Sequence, residues 1–183
     1  MLINIADVDR NCRVLGPGTR YIIWVQGCLK KCKGCYNTEY QPLIENKIFD
    51  TKDIITDILK YKDKNLLEGI TFLGGEPLLQ AIQLKEIAQA VKEKNMTVLC
   101  YTGYKYNEIK NIKDIHELLK YTDVLIDGDF QIDKKINKGF RGSSNQNIIF
   151  LTNKYQEKDF DVFNSYEIEI KNSNLKIKGF YRR

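Results

Sequence analysis

The sequence predicts an α/β domain on a parallel sheet: a partial, incomplete β/α barrel followed by a C-terminal β-hairpin. Three observations lead there. Strand-like segments alternate with amphipathic helical segments as far as Leu151, the pattern of βαβ units with right-handed crossovers. The chain has 183 residues, short of the ~200 or more that a full eight-unit barrel needs. The tail then changes to strict polar/apolar alternation, which belongs to paired antiparallel strands.

The elements follow in order. Tyr21-Ile22-Ile23-Trp24-Val25 is β-branched and aromatic and reads as a buried strand. A cysteine-rich loop follows. Asp50 or Thr51 supplies an N-cap for a helix whose apolar face is Ile54, Ile55, Ile58 and Leu59. Gly69 to Leu73 is a second strand, ending in Gly74-Gly75-Glu76-Pro77. Leu84, Ile87, Ala88 and Val91 then repeat at helical spacing. Met96 to Tyr101 is a third strand closed by Thr102-Gly103, and Lys113 to Tyr121 is a helix that buries Ile115, Leu118 and Leu119. Asp123 to Gly128 and Ile148 to Leu151 are further strands. In the tail, Tyr166 to Ile170 and Leu175 to Phe180 flank Asn172-Ser173-Asn174 as a hairpin, placed as an antiparallel edge or cap. No repeat, low-complexity stretch or Pro/Gly/Ser linker divides the chain, so one domain over residues 1–183 is expected.

Composition excludes several functional classes. Hydrophobic residues are 43% and charged residues 29%, the balance of an ordinary globular protein. The apolar runs are far shorter than the ~20 residues of a membrane span. The first residues lack a basic start, a long apolar centre and a small-residue cleavage site, so cytoplasmic localisation is expected. Net charge is +5 with scattered lysines, densest at Lys30, Lys31 and Lys33. No basic stripe with interleaved aromatics marks a nucleic-acid surface, and no direct nucleic-acid binding is expected. The lysine group gives a positive field that suits anionic or acidic partners.

Five cysteines in a chain without an export signal argue against disulfides. Three of them, Cys28, Cys32 and Cys35, share one loop. Three thiolates on three irons of a cubane leave the fourth iron open to a substrate, whereas an electron-transfer ferredoxin closes its cluster with four. Structural zinc is the alternative and wants four ligands. The only histidine, His116, lies on a predicted helix, and nothing in the spacing recommends Cys12 or Cys100 as the fourth. Cys100 and Trp24 read as core residues, and His116 as a helix-surface residue.

These residues carry a family resemblance. Cys-x3-Cys-x2-Cys followed by the aromatic Tyr36 resembles the signature of the radical S-adenosylmethionine (SAM) superfamily. Gly74-Gly75-Glu76-Pro77 resembles the glycine-rich motif of the same superfamily. Gly16-Pro17-Gly18-Thr19-Arg20 looks like the lead-in of glycyl-radical-enzyme activases. Asp123 to Gly128 and Arg141-Gly142-Ser143-Ser144-Asn145-Gln146 are similar to the activating component of anaerobic ribonucleotide reductase. The resemblance runs from near Arg10 to the tail and implies an incomplete barrel of the radical SAM type.

The resemblance implies two cofactors, a [4Fe–4S] cluster on Cys28, Cys32 and Cys35, and SAM on its open iron. One electron then cleaves SAM to methionine and a 5′-deoxyadenosyl radical, which takes a hydrogen atom from a glycine of a partner enzyme. By motif match, the backbone of Gly74 and Gly75 and the side chain of Glu76 hold the methionyl amine, and Tyr36 lies near adenine. Arg141 suits the SAM carboxylate, while Asn145 and Gln146 face SAM or the partner's loop. The implied partners are a glycyl-radical enzyme, with an anaerobic ribonucleotide reductase foremost, and an electron donor such as flavodoxin or ferredoxin. Two other readings stay open: direct action on a peptide or small molecule, and an Fe–S or zinc module without turnover.

Overall fold

A computed structural model describes residues 1–64, 66–171 and 174–180. Its centre is a seven-stranded sheet of order β3-β1-β2-β4-β5-β6-β7. The strands are β1 (Leu2–Cys12), β2 (Arg20–Val25), β3 (Lys47–Asp50), β4 (Gly69–Gly74), β5 (Thr97–Tyr101), β6 (Val124–Asp127) and β7 (Asn147–Phe150). β2, β4, β5 and β6 run parallel, while β1, β3 and β7 join antiparallel at the two sides. The sheet is open, with β3 and β7 as its edges. The parallel core follows the predicted alternation. β7 departs from it because no long helix separates it from β6, so the chain has no crossover with which to return parallel.

The helices α1 (Thr51–Lys62), α2 (Ala81–Lys92), α3 (Tyr106–Ile109) and α4 (Lys113–Leu119) pack on one face. Asp50 caps α1, its carboxylate accepting from Lys52 N at 2.9 Å. The stripe Leu84, Ile87, Ala88 and Val91 of α2 is fully buried, each larger side chain contributing roughly 1.5–3 kcal/mol of burial. It meets Tyr21, Ile23, Val25, Ile70, Phe72 and Val98 from the sheet. The opposite face carries two clusters: Leu99, Val124 and Ile126 are covered by Phe140, Tyr155 and Phe160, and Ile22, Trp24 and Leu73 pack with Val14, Leu15 and Phe180. Burial on both faces explains why the central strands read as continuous apolar runs.

β1, β3 and α3 were not legible as elements. β1 loses its period-two pattern through register shifts at Ile5/Asp7 and Asp9/Cys12, and the bulged chain places charged Asp7 and Asp9 among apolar residues. The tail forms β8 (Tyr166–Lys171) and β9 (Asn174–Gly179), paired with each other as a separate two-stranded sheet. It is a hairpin, as expected, and a cap rather than a sheet edge; the turn residues Asn172 and Ser173 lie outside the described residues. Among the described residues no helix is long and apolar enough to cross a membrane.

Two buried charges fix the strands. Arg20, fully buried, donates to Thr71 Oγ1 (2.7 Å), Ile70 O (2.5 Å), Thr97 Oγ1 and Tyr155 OH (both 3.1 Å), so the start of β2 is locked to β4 and β5. Asp123 accepts from Lys92 Nζ (2.7 Å), Val98 N (2.8 Å) and Thr152 Oγ1 (2.7 Å), tying α2, β5 and the end of β7 to the start of β6. Asp123→Ala strands the Val98 amide and the Lys92 ammonium together. It is expected to cost about 3 kcal/mol in urea unfolding, and a loss below half of that would remove this tie from the account.

Candidate functional site

The carboxyl ends of β2, β4, β5 and β6 open into one cavity of about 370 Å³, within the range of small-molecule sites. Each wall follows from the chain order. β2 brings Trp24 and then the cysteine loop, with Cys28, Lys30, Cys32, Cys35 and Tyr36. β4 brings Leu73 and Gly74 to Pro77; β5 brings Tyr101, Thr102 and Gly103. The segment after β6 adds Gly128, Phe130, Gly142 and Gln146, and the tail adds Leu175 to Phe180.

The two loops of greatest interest are joined backbone to backbone. Gly75 N donates to Val25 O (2.9 Å) and Glu76 N to Gly27 O (2.8 Å); Gly27 N and Cys28 N donate to Tyr40 O (2.8 Å) and Gln41 O (2.9 Å). Only glycine permits this approach. A Cβ on Gly75 would stand 2.2 Å from Gly27 O and 2.7 Å from Tyr40 O. One on Gly74, whose φ is +122°, would stand 2.4 Å from Val25 N. The glycine pair therefore serves the seam between the loops as well as the cavity wall.

All three loop cysteines line the cavity. Cys28 Sγ accepts from Lys30 N and Cys35 Sγ from Asn37 N, both at 3.4 Å, and Cys32 receives the Phe130 amide. Amide donors to sulfur are the environment in which cluster-ligating thiolates sit. Burial pushes the Cys28 and Cys32 thiols up, and these amides pull them partly back. Cys12 and Cys100 behave differently. Both are buried away from the cavity, Cys12 pushed up to about 12 by burial and Cys100 well above its usual value. His116 is exposed on α4. None of these three reaches the cavity as a fourth ligand, which leaves the three-thiol set. Among the described residues no three His, Cys, Asp or Glu side chains converge on a single metal ion. A cubane asks each thiolate to reach a different iron, so the donor set fits a cluster in kind and number.

Glu76 is 1% exposed. Its carboxylate accepts from Gly103 N (2.8 Å), Thr102 Oγ1 (2.9 Å) and Leu78 N (3.0 Å), linking the β4 and β5 ends. Burial raises its pKa, against these bonds and the nearby Lys30 charge. Lys30 lies over the Tyr104 ring, its Nζ 4.6 Å from the centroid. Tyr36 stands edge-on to Phe130 (5.3 Å between centroids) and Phe180 (5.9 Å), forming an aromatic corner of the cavity.

Arg141 and Asn145 are placed one residue from the lining, which their neighbours Gly142 and Gln146 provide. Arg141 donates to Gln146 O (2.9 Å) and Asn145 Nδ2 to Asp129 O (2.9 Å), so both shape the loop. Arg141 Nε and Asn145 Oδ1 are buried without a hydrogen-bond partner. Sequence reasoning passed over Phe130, read Trp24 only as core, and singled out Lys30 for its charge and the tail for its hairpin without placing either at the cavity. Trp24 is buried yet walls the cavity. The tail's alternation announced a hairpin without saying what it covers.

Comparison with known proteins shows the family of the chain. Residues 14–149 match the family described as a 4Fe-4S single cluster domain. The anaerobic ribonucleoside-triphosphate reductase-activating protein of Enterobacteria phage T4 is 34% identical over 139 residues, covering 74% of this chain and 86% of that protein. The protein of the same name from Haemophilus influenzae is 37% identical, covering 72% and 87%. A pyruvate formate-lyase-activating enzyme of Staphylococcus aureus is 31% identical over 159 residues, covering 84% of this chain and 63% of the enzyme.

Two outcomes test the site. Gly75→Ala is expected to cost about 1–3 kcal/mol by overpacking and to expose the Gly27–Gln41 loop to protease; an unchanged melt and digest would show that the seam yields freely. Glu76→Gln tests the buried carboxyl. A carboxyl whose folded pKa is raised stabilises fully below its unfolded value and loses that contribution as pH rises through the folded value. Wild type is therefore expected to lose stability relative to Glu76→Gln as pH climbs above 4.5, the ordinary glutamate value, and parallel pH–stability curves would contradict the assignment.

With three cysteines gathered on one loop at the carboxyl ends of a parallel sheet, and relatives of this kind over most of its length, the chain belongs to the 4Fe-4S single cluster domain family and to its radical SAM activases.

Proposed function

We propose that this chain installs a glycyl radical on an anaerobic ribonucleoside-triphosphate reductase, using SAM bound in the cavity beside the cysteine loop. The observation that carries the reading is one cavity lined jointly by Cys28, Cys32 and Cys35 and by Gly74, Gly75 and Glu76. Cofactor ligands and a small-molecule wall converge there and nowhere else among the described pockets. The names of the relatives support the choice of reductase over other glycyl-radical enzymes, since two at 34% and 37% identity carry it.

When bound, a [4Fe–4S] cluster supplies one electron for the reductive cleavage of SAM, and the resulting 5′-deoxyadenosyl radical takes a hydrogen atom from the partner's glycine. The chain's own residues do the rest. Cys28, Cys32 and Cys35 would hold the cluster, and three thiols would leave one iron for SAM. Gly74, Gly75 and Glu76 present backbone and carboxylate oxygens to the methionyl amine. The Glu76 carboxylate keeps lone-pair capacity beyond its bonds to Gly103, Thr102 and Leu78. Tyr36 and Phe130 offer an aromatic corner to adenine. Arg141, one residue from the lining and with its buried Nε unpaired, is the nearby cation for the SAM carboxylate, and Asn145 holds the loop that carries it. The apolar walls, Trp24 and Leu73 among them, limit water at the cluster. An electron donor of the flavodoxin or ferredoxin class completes the cycle, and the open sheet is read as an incomplete barrel within one domain.

The test is anaerobic. Reconstituted protein, SAM and a reductant are mixed with a candidate reductase, and 5′-deoxyadenosine and the EPR spectrum are recorded. Wild type is expected to give both the nucleoside and a glycyl-radical signal. Cys32→Ala is expected to lose iron and both products, while Cys12→Ala and Cys100→Ala keep their iron. SAM cleavage retained in Cys32→Ala would overturn the proposal.

A further inference from the structure

The family match ends at residue 149, yet residues beyond it, Leu175 to Phe180, wall the cavity. The way this wall is attached is unusual. β8 and β9 pair only with each other, so no described backbone ladder joins them to the main sheet. Their charged side chains point to the body. Lys178 Nζ meets Asp9 at 2.7 Å, with both side chains 6% exposed, and Lys176 Nζ meets Asp7 at 2.7 Å. Glu169 and Glu167 flank Lys178 at 3.3 and 3.9 Å, and Arg13 lies 3.6 Å from Glu167. Burial opposes the Lys178 charge, but the bond and charge of Asp9 with that of Glu169 hold its pKa above the ordinary value. The apolar row of β8 faces outward, with Tyr166, Ile168 and Ile170 at 54%, 56% and 75% exposed.

We propose that the β8–β9 hairpin is a detachable wall of the cluster cavity, latched by the Asp9–Lys178 and Asp7–Lys176 ion pairs and able to swing off as a unit. Three features make detachment cheap. No ladder to the main sheet breaks, the outward apolar row gains no new exposure, and the freed charges are rehydrated. The pivot is defined by neighbours. Asn164, just before the hairpin, is anchored by accepting from Phe140 N (2.8 Å) and donating to Arg141 O (2.7 Å). Phe180 N donates to Ser165 O (3.0 Å), closing the hairpin's base. With the wall in place the cavity is sheltered, and with it lifted the cavity admits a chain segment. That the segment is the partner's glycine loop rests on the activase reading; the latch itself does not.

Trp24 reports the state of the wall. It is the only tryptophan, is 6% exposed, lines the cavity and carries Lys176 Nζ 5.2 Å above its ring. In full-length, cluster-loaded protein, acrylamide quenching of Trp24 is expected to rise several-fold in the double variant Asp7→Asn/Asp9→Asn. The melting of the main sheet should hardly change, and the β8–β9 amides should stay protected in hydrogen exchange. Lys176→Gln/Lys178→Gln makes the same test from the hairpin side should the first pair fold poorly. Unchanged Trp24 quenching in a folded variant would overturn the latch. Quenching that rises together with β8–β9 amide exchange would overturn the rigid swing, because the hairpin would then be melting. Neither readout involves SAM turnover, so failure of the activase reading leaves this result interpretable.

Discussion

The structure depends on one close approach. Val25 O and Gly27 O accept from the amides of Gly75 and Glu76 across a gap that no Cβ could enter. The seam fixes the position of the cysteine loop relative to the end of β4. Without it the thiols would sit on a long irregular loop with little to orient them. The glycines close the packing between two strand ends, and in doing so leave Gly74 and Gly75 on the cavity wall. Glu76 extends the same seam to β5 through Thr102 and Gly103, so three successive parallel strands deliver their ends to one place.

Much of this was legible because burial leaves a plain record in sequence. The stripe of α2 and the runs of β2 and β4 are the direct trace of a sheet covered on both faces, and their bounds agree with the pattern to within a residue or two. The three-thiol loop and Gly74 to Pro77 were legible for a different reason, since their chemistry admits few other residue types. What was not legible depended on partners far along the chain. β1 is bulged and carries charges that only make sense once Lys176 and Lys178 lie across them. Arg141 and Asn145 were assigned by motif, but whether a side chain or its neighbour reaches a cavity is decided by loop geometry that spacing does not encode. Trp24 was correctly read as buried, and its second role as a wall depends on the strand ending where the cavity begins.

The cysteines show how environment sorts chemically identical groups. Cys12 and Cys100 are buried in apolar packing that keeps their thiols protonated. The loop cysteines line the cavity, which neither Cys12 nor Cys100 reaches. The same chain thus separates two core thiols from three cavity-lining ones by where the backbone turns rather than by anything in the residue itself.

The central claim is that three protein thiols bind the cluster and the cavity beside it supplies the remaining ligand to its open iron. Mössbauer spectroscopy of protein loaded with isotope-enriched iron, recorded with and without SAM, tests it most directly. The account predicts one iron site distinct from the other three whose parameters shift when SAM is added. Four equivalent sites, unmoved by SAM, would contradict it.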